Sequence, residues 1–592
     1  MKKILYIVTA LFTFGFNSCD IDDVENYTEL SQSVYPATDE DVEAVLAGVY
    51  QNLNAATDNE SIGNSFLFLS CLASDEQFGC GSTGDKVWQA LDLMLNYGTD
   101  MCNDFYTTRY SGIARANTLV SLLEDNESVS EDSKNTAIAE AKFLRAFFYY
   151  ELASMFGNVP LSLDVAEDAV QGEVTDVWAQ ILMDLRDACD ALDDERKSDG
   201  HVDKYTAEAM LARAWLFYTG FYCNGTTVAD LVSTNYSPMT SVTLPDGSTL
   251  TKDDVIDYID DCVNNSGYEL VPDFRNLWAY TNRYTVEDYP YTAGQGLEWV
   301  ENDNGVNPES MFAIKYNKLA SWSTTTGYAN EYALYLSCRG GQDLANTFPF
   351  GQGWGAGMVA PNLVDDWEAA EPNDMRLQAT ICDTNDTETE MPAYEKGGWD
   401  DAVQETDYYS KKWSAICAKN DGTVDGVDYV YCFETLMYSG NWDTSGENNF
   451  QLSNIHDVVL IRFADALLMQ SELKEDVSGI NMVRERAGLD PIASYSLEAL
   501  QNERRWELAC EGIRWNDIRR WHIAATALAK QQDQPTYNAG VAGDTNSAHN
   551  GGYAVRYNAT AGFQKMPDSQ VDLGVVVQNE GWTTSDSEYA GW

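Results

Sequence analysis

The stretch NTAIAEAKFLRAFFYYELASMFGNVPL, residues 135–161, limits this chain more than any other feature. Ile138, Ala141, Leu144, Phe148, Leu152 and Met155 recur at spacings of three and four, which makes one apolar helix face. Phe143, Phe147 and Tyr150 make a second. A helix that is apolar on two sides must pack between neighbours. The spacing predicts a helix over 131–156, stopped by Gly157 with Pro160 just beyond. Similar patterns predict helices over 39–54, 105–124, 175–193, 204–222 and 253–265. Further ones follow at 457–473, 476–488 and 496–522. Helices that each need two partners build a stacked array of hairpins of the tetratricopeptide kind, here without a clean period of about 34 residues.

The texture changes near residue 268. Seventeen aromatics fall between Tyr268 and Trp354, among Gly, Asn, Thr and Ser and without helical period. Irregular loops with short strands are expected there, and the same texture runs to about 455. The predicted organisation is therefore a helical platform in two parts (39–267 and 456–525), an aromatic-rich insert (268–455) and an extended wrapping tail (526–592). The fold class is mainly α.

Charge narrows the partners. With 94 Asp plus Glu against 36 Lys plus Arg, the formal charge is −58. Phosphate binding needs a concentrated basic face, so nucleic acid is excluded as a partner. Adsorption to an anionic membrane through charge is disfavoured in the same way. A neutral ligand suits the balance.

The N-terminus sets the compartment. MKK is a basic leader, and ILYIVTALFTFGF is an apolar run too short to span a bilayer as a helix. FNSC follows and looks like a bacterial lipobox, with residues 1–18 as signal peptide and Cys19 as the lipidated residue. Phe16 stands where Leu is usual. Residues 19–38 read as an acidic, solvated tether. It resembles the surface-export signal that some Gram-negative lipoproteins carry after the cysteine. A protein anchored at the outer-membrane surface is expected. The other eleven cysteines are scattered singly, with no C-x-x-C pair. They read as small buried hydrophobes with a few disulfides among them, and the odd count leaves at least one free.

Several familiar motifs are decoys. GCGSTG (Gly79, Gly81, Gly84) fits a dinucleotide loop, but ASDEQF stands where a strand should lead in, and no βαβ alternation follows. NDGTVDGVDYVYC places Asp421, Asp425 and Gly426 as a calcium loop would, yet ends in Cys432 where the loop needs Glu. No cofactor is expected; a structural calcium ion is left open and no metal ligands are assigned. Four separated histidines (His201, His456, His522, His549) make no H-E-x-x-H motif.

Seven stretches in order carry a family resemblance: PATDEDVEAVLAGVYQNL (36–53), SGIARANTLV (111–120), AEAKFLRAFFYYELASMFGNVPL (139–161), YYSKKW (408–413), VVLIRFADALLMQSEL (458–473), INMVRERAGL (480–489) and ERRWELACEGIRWNDIRRW (503–521). Together they resemble the SusD/RagB family of outer-membrane nutrient-binding lipoproteins. The resemblance implies four helix-hairpin repeats carrying a variable ligand-binding region. It implies a non-catalytic protein that captures an oligosaccharide or polysaccharide and closes as a lid over a SusC-like TonB-dependent transporter. A levan-type fructan is the expected glycan, on a general impression of similar members. A peptide-binding member and a surface glycoside hydrolase are the competing readings.

A sugar offers C–H faces to flat rings and edge hydroxyls to carboxylates and amides. The insert supplies Tyr284, Trp299, Trp322, Tyr328 and Trp354 as rings, with Asn282, Asp288 and Asn304 as polar neighbours. Asp75 and Trp88 join them from a turn-rich stretch that borders the ligand in the family. The cation-rich stretch 503–521 holds five arginines with four acids. Asp517–Arg520 is expected as a local pair, and Glu511–Arg514 as another unless Gly512 breaks the helix first, so the stretch reads as a semi-buried ionic network docking the last helices.

Overall fold

The computed structural model describes residues 35–582 apart from 56–62, 64, 99, 165–168, 317–328, 340–342, 397–401, 423–425, 433–453 and 544–551. Cys19 and its lipobox lie outside the described residues. The platform opens with α1 (Asp39–Ala55), followed by the short α2 (Phe66–Leu72) and α3 (Lys86–Asp92). The long helices α4 (Asn103–Glu124), α5 (Glu131–Phe156), α6 (Val174–Ala191) and α7 (Lys204–Phe221) come next. A single turn, α8 (Val228–Leu231), precedes α9 (Lys252–Asn265). Consecutive long helices pack side by side from α4 to α7 and on to α9, and α1 lies against α4 and α5. This is the stacked-hairpin array.

The ends of α5 show why the sequence folds this way. Ser130 accepts the Ser133 N–H at its N-terminus, and Glu131 and Asp132 face the positive end of the helix dipole. Gly157 ends the helix at φ 74, a backbone that an L side chain rarely adopts. Every residue from Phe143 to Phe156 is buried. Phe143 and Phe147 both meet Phe312 of strand Ser310–Ile314 at ring separations of 5.2 Å. That strand pairs antiparallel with Val458–Arg462, so the entry and exit of the insert are laced together over α5.

The insert has its own core, built around a four-stranded sheet ordered Gln77–Gly79, Gly357–Val359, Tyr408–Ser410, Ile381–Asp383. Its first strand comes from the N-terminal part of the chain. Phe68, Leu72 and Phe78 therefore pack with Tyr289, Trp299 and Met358.

The structure departs from expectation in four places. Residues 458–462 are a strand, and the helix starts only at Phe463. The predicted helix 496–522 breaks into Leu497–Glu507 and Arg514–Arg520, because Cys510 (φ 62) and Gly512 (φ 70) leave helical geometry. The tail is not extended throughout: Ala524–Gln531, Tyr553–Thr560 and Asp568–Asp572 are helical. It docks on the platform where the Gln564 N–H donates to the Met155 carbonyl at 2.8 Å. All eleven described cysteines are free thiols, ten of them buried.

The arginine-rich stretch is an ionic core, with partners mostly from elsewhere in the chain. Arg504 meets Asp465 (2.7 Å) and Asp517 (2.8 Å), and Arg505 meets Asp75 and Asp366. Arg520 pairs with Asp517 at 2.8 Å as expected, and also with Glu472. Glu511 turns away from Arg514 to Lys412 (2.6 Å) and Arg462 (2.8 Å). Arg376, fully buried, holds Asp374, Glu503 and Glu507. Arg519 differs from the rest: it donates to the Ser154 carbonyl and lies among the rings of Phe217, Phe221, Trp515 and Phe563.

Candidate functional site

Two of the predicted rings are held to one segment of the chain. Trp88, on α3, is half-buried and sets its ring edge-on to Phe68 (6.0 Å) and Tyr335 (5.1 Å). Trp354, also half-buried, is tied to the helix Glu331–Leu336 and the residues just after it. Its N–H donates to the Leu334 carbonyl at 2.8 Å, and the N–H groups of Gly353, Gly355 and Ala356 donate to Cys338, Ser337 and Tyr335. Both tryptophans are thus fastened to segment 334–339. Arg339 closes the arrangement, with Nη1 3.4 Å from the Trp354 carbonyl and 3.8 Å from Asp85 Oδ2.

The glycines around these rings explain themselves sterically. A Cβ on Gly81 (φ +100) would sit 2.7 Å from the Trp88 ring and 2.7 Å from Asp85 Oδ2. A Cβ on Gly79 would fall 2.2 Å from the Trp88 carbonyl oxygen. Gly79 and Gly81 of GCGSTG make room for Trp88. A three-residue strand, Gln77–Gly79, does lead into the motif, but it pairs antiparallel, so no dinucleotide crossover is formed. In GQGWGAG, a Cβ on Gly353 would lie 2.4 Å from that of Ser337, and Gly355 (φ +64) faces Arg339.

The other predicted residues are placed differently. Asp75 is 0% exposed, and both its oxygens are taken by arginines, Arg514 at 2.7 Å and Arg505 at 3.0 Å. Burial opposes its charge, yet these guanidiniums hold its carboxyl well below the usual range. It is a structural carboxylate, removed from any surface. Trp299 is 3% exposed, and its ring belongs to the insert core. Tyr284 is half-buried beside the hairpin Cys417–Tyr431, and burial raises its phenol pKa. Asn282 is buried and caps its own turn by accepting the Tyr284 N–H at 3.0 Å. Asp288 is exposed and pairs with Lys419 at 3.0 Å. Asn304 ends the turn Asn302–Asn304. Trp322 and Tyr328 lie outside the described residues, as does Asp425 of the calcium-like loop. Among the described residues no group of three His, Cys, Asp or Glu is arranged to hold a metal ion.

Sequence reasoning missed Asp85, Tyr335 and Arg339. The crowding of glycines about Trp88 and Trp354 was the available signal, since a glycine beside a large ring marks a close approach.

A platform of helix hairpins carrying an aromatic-rich insert, with half-buried Trp88 on the platform side and Trp354 on the insert, defines the SusD class of protein. Residues 308–582 match the model of the SusD family. Residues 23–218 match a family described as starch-binding and associating with the outer membrane. The chain belongs to the SusD/RagB family. Among its relatives, SusD-like protein P2 of Formosa agariphila is 24% identical, over 91% of this chain and 94% of that protein. A SusD-like protein of Bacteroides ovatus is 24% identical, over 70% of this chain and 64% of its own length. The same fold is seen in a laminarin-binding SusD-like protein, with 23% identity, a TM-score of 0.64, and 92% and 99% of the two chains covered. It recurs in surface glycan-binding protein A from Bacteroides fluxus, with 20% identity, a TM-score of 0.66, and 92% and 100% covered. Among the described residues no helix is long and apolar enough to cross a membrane.

Proposed function

We propose that this protein is a non-catalytic, lipid-anchored surface protein that binds an oligosaccharide or polysaccharide and passes it to a SusC-like TonB-dependent transporter, over which it acts as a lid. The observation that carries the binding role is that half-buried Trp88 and Trp354 are both held to segment 334–339, where Arg339 approaches Asp85. Half-open indoles supply flat apolar area for sugar faces, and the carboxylate and guanidinium supply an acceptor and donors for hydroxyls. The predicted lipobox at Cys19 and the family membership support the anchor, the outer-membrane location and the transporter partner. The names of two structural neighbours point to laminarin or surface glycan as their ligands, which makes a β-glucan a second candidate beside the levan-type fructan.

The test is affinity electrophoresis and calorimetry on a polysaccharide panel that includes laminarin and levan. Wild type should bind one member, and Trp88→Ala with Trp354→Ala should lose that binding by at least about a hundredfold while keeping the wild-type melting curve. Unchanged affinity in the double variant overturns the site. Capture of a peptide digest with no glycan bound overturns the ligand class.

A further inference from the structure

A groove lies between the α6–α7 loop and strand Ser310–Ile314, on the platform side of the insert. Its volume is about 310 Å³, and Arg196, His201, Val306 and Lys315 are among its walls. It meets a smaller pocket of about 40 Å³ with Trp278, Trp299, Trp413 and His456 among its walls. Glu301, Asn307 and Asp457 line both. None of these residues belongs to the Trp88–Trp354 face.

The pocket's polar groups are informative. His456 is 6% exposed, and its Nε2 has no hydrogen-bond partner; the Trp278 indole Nε1–H, also buried, has none either. Burial pushes the imidazole pKa down to about 4, and the ring's other nitrogen donates to the Trp413 backbone. The ring is therefore neutral and its Nε2 is an acceptor. The residues that line this space, three indoles and the Arg462–Glu511 ion pair among them, thus include one unused acceptor and one unused donor. Leaving such groups unpaired costs on the order of 1–3 kcal/mol each. A group that both donates and accepts, such as a hydroxyl, suits the two. The volume exceeds the ~10–15 Å³ of cavity space that one water molecule needs, so a hydroxyl or hydroxymethyl fits in it. The adjoining groove stands at the lower edge of the ~300–1,000 Å³ range of small-molecule sites.

We propose that this groove is a second saccharide site, separate from the Trp88–Trp354 face. It seats one hexopyranose unit whose hydroxymethyl group enters the tryptophan pocket, its hydroxyl accepting from Trp278 Nε1–H and donating to His456 Nε2. The sugar ring lies in the groove among Arg196, Asn307, Lys315 and Asp457. A water molecule is the other source of the same hydroxyl chemistry, and a pentose, lacking the hydroxymethyl, separates the two.

Saturation-transfer NMR of the full mature chain with D-glucose and with D-xylose makes the test. Glucose should show transfer strongest at its C6 protons, and xylose should bind at least about tenfold more weakly. Val306→Trp alters an exposed residue of the groove wall. It should remove the glucose signal while leaving polysaccharide binding at the Trp88–Trp354 face intact, and His456→Phe should do the same by filling the pocket. Equal binding of the two sugars, a glucose signal untouched by Val306→Trp, or a crystal soaked in glucose that shows only water in the pocket overturns the proposal. Because the two faces share no residue, loss of one signal without the other tells which reading has failed.

Discussion

Arg514 Nε donates to Asp75 Oδ1 at 2.7 Å across 439 residues of chain. Both side chains are buried, and Arg505 shares the same carboxylate. Removing one partner of such a pair leaves an uncompensated charge in the interior. Arg514→Ala should therefore lower stability by about 3–5 kcal/mol in urea unfolding. Glycan affinity of the folded fraction should stay at the wild-type value. A variant that melts normally and loses glycan binding would return Asp75 and Arg514 to the ligand.

Gly81→Ala probes the seat of Trp88. The new methyl would meet the indole at 2.7 Å, on a backbone held at φ +100. Strain of this kind costs about 1–3 kcal/mol. The variant should shift Trp88 fluorescence and weaken glycan binding about tenfold, whereas Gly84→Ala, whose nearest contact is 3.4 Å away, should do neither.

Stability should decline as the solution turns alkaline. Burial pushes the carboxyl pKa of Glu76 to about 7, of Asp92 to about 8 and of Glu208 to about 9. Each folded carboxyl holds its proton more tightly than the unfolded chain does. Its stabilising contribution is full below about pH 4 and is lost as the pH rises through the folded value. Asp75 and Asp465 work the other way, since their depressed pKa values give stability that is lost only in strong acid. Urea midpoints measured from about pH 5 to pH 9 should fall, and Asp92→Asn should flatten part of that slope. A midpoint that rises toward pH 9 refutes the assignment.

Thiol chemistry should follow the burial of the cysteines. Cys223 alone among the eleven described thiols is partly exposed. A disulfide-exchange reagent should titrate one thiol quickly in the native, mature protein and the rest only on unfolding. A reducing agent should leave the melting temperature unchanged, and a drop of several degrees would reveal a disulfide.

The long helices were legible because their apolar spacing and caps agree, as at Ser130 and Gly157 around α5. The run VVLIRF was not, since a continuous apolar stretch has no period that distinguishes strand from helix. Pairing with Ser310–Ile314 decides it as a strand. Local spacing pointed Glu511 at Arg514, but the left-handed residues Cys510 and Gly512 turn the chain and send Glu511 to Arg462 and Lys412. At the candidate site, GQGWGAG marked Trp354 as a ring on a glycine-rich loop, whereas Trp88, read only as part of a turn-rich stretch, stands on α3. Asp75 was misread because its partners lie more than 400 positions downstream, beyond the reach of any local pattern.

The ionic core also orders events in time. Asp75 and Glu309 find their cationic partners only among residues 462–514. A ribosome that has released the first 450 residues has made the first part of the helical platform but not the arginines that neutralise these acids. These two buried acids therefore stay without their cations until the last quarter of the chain is made, so their share of the interior can be neutralised only at the end of synthesis.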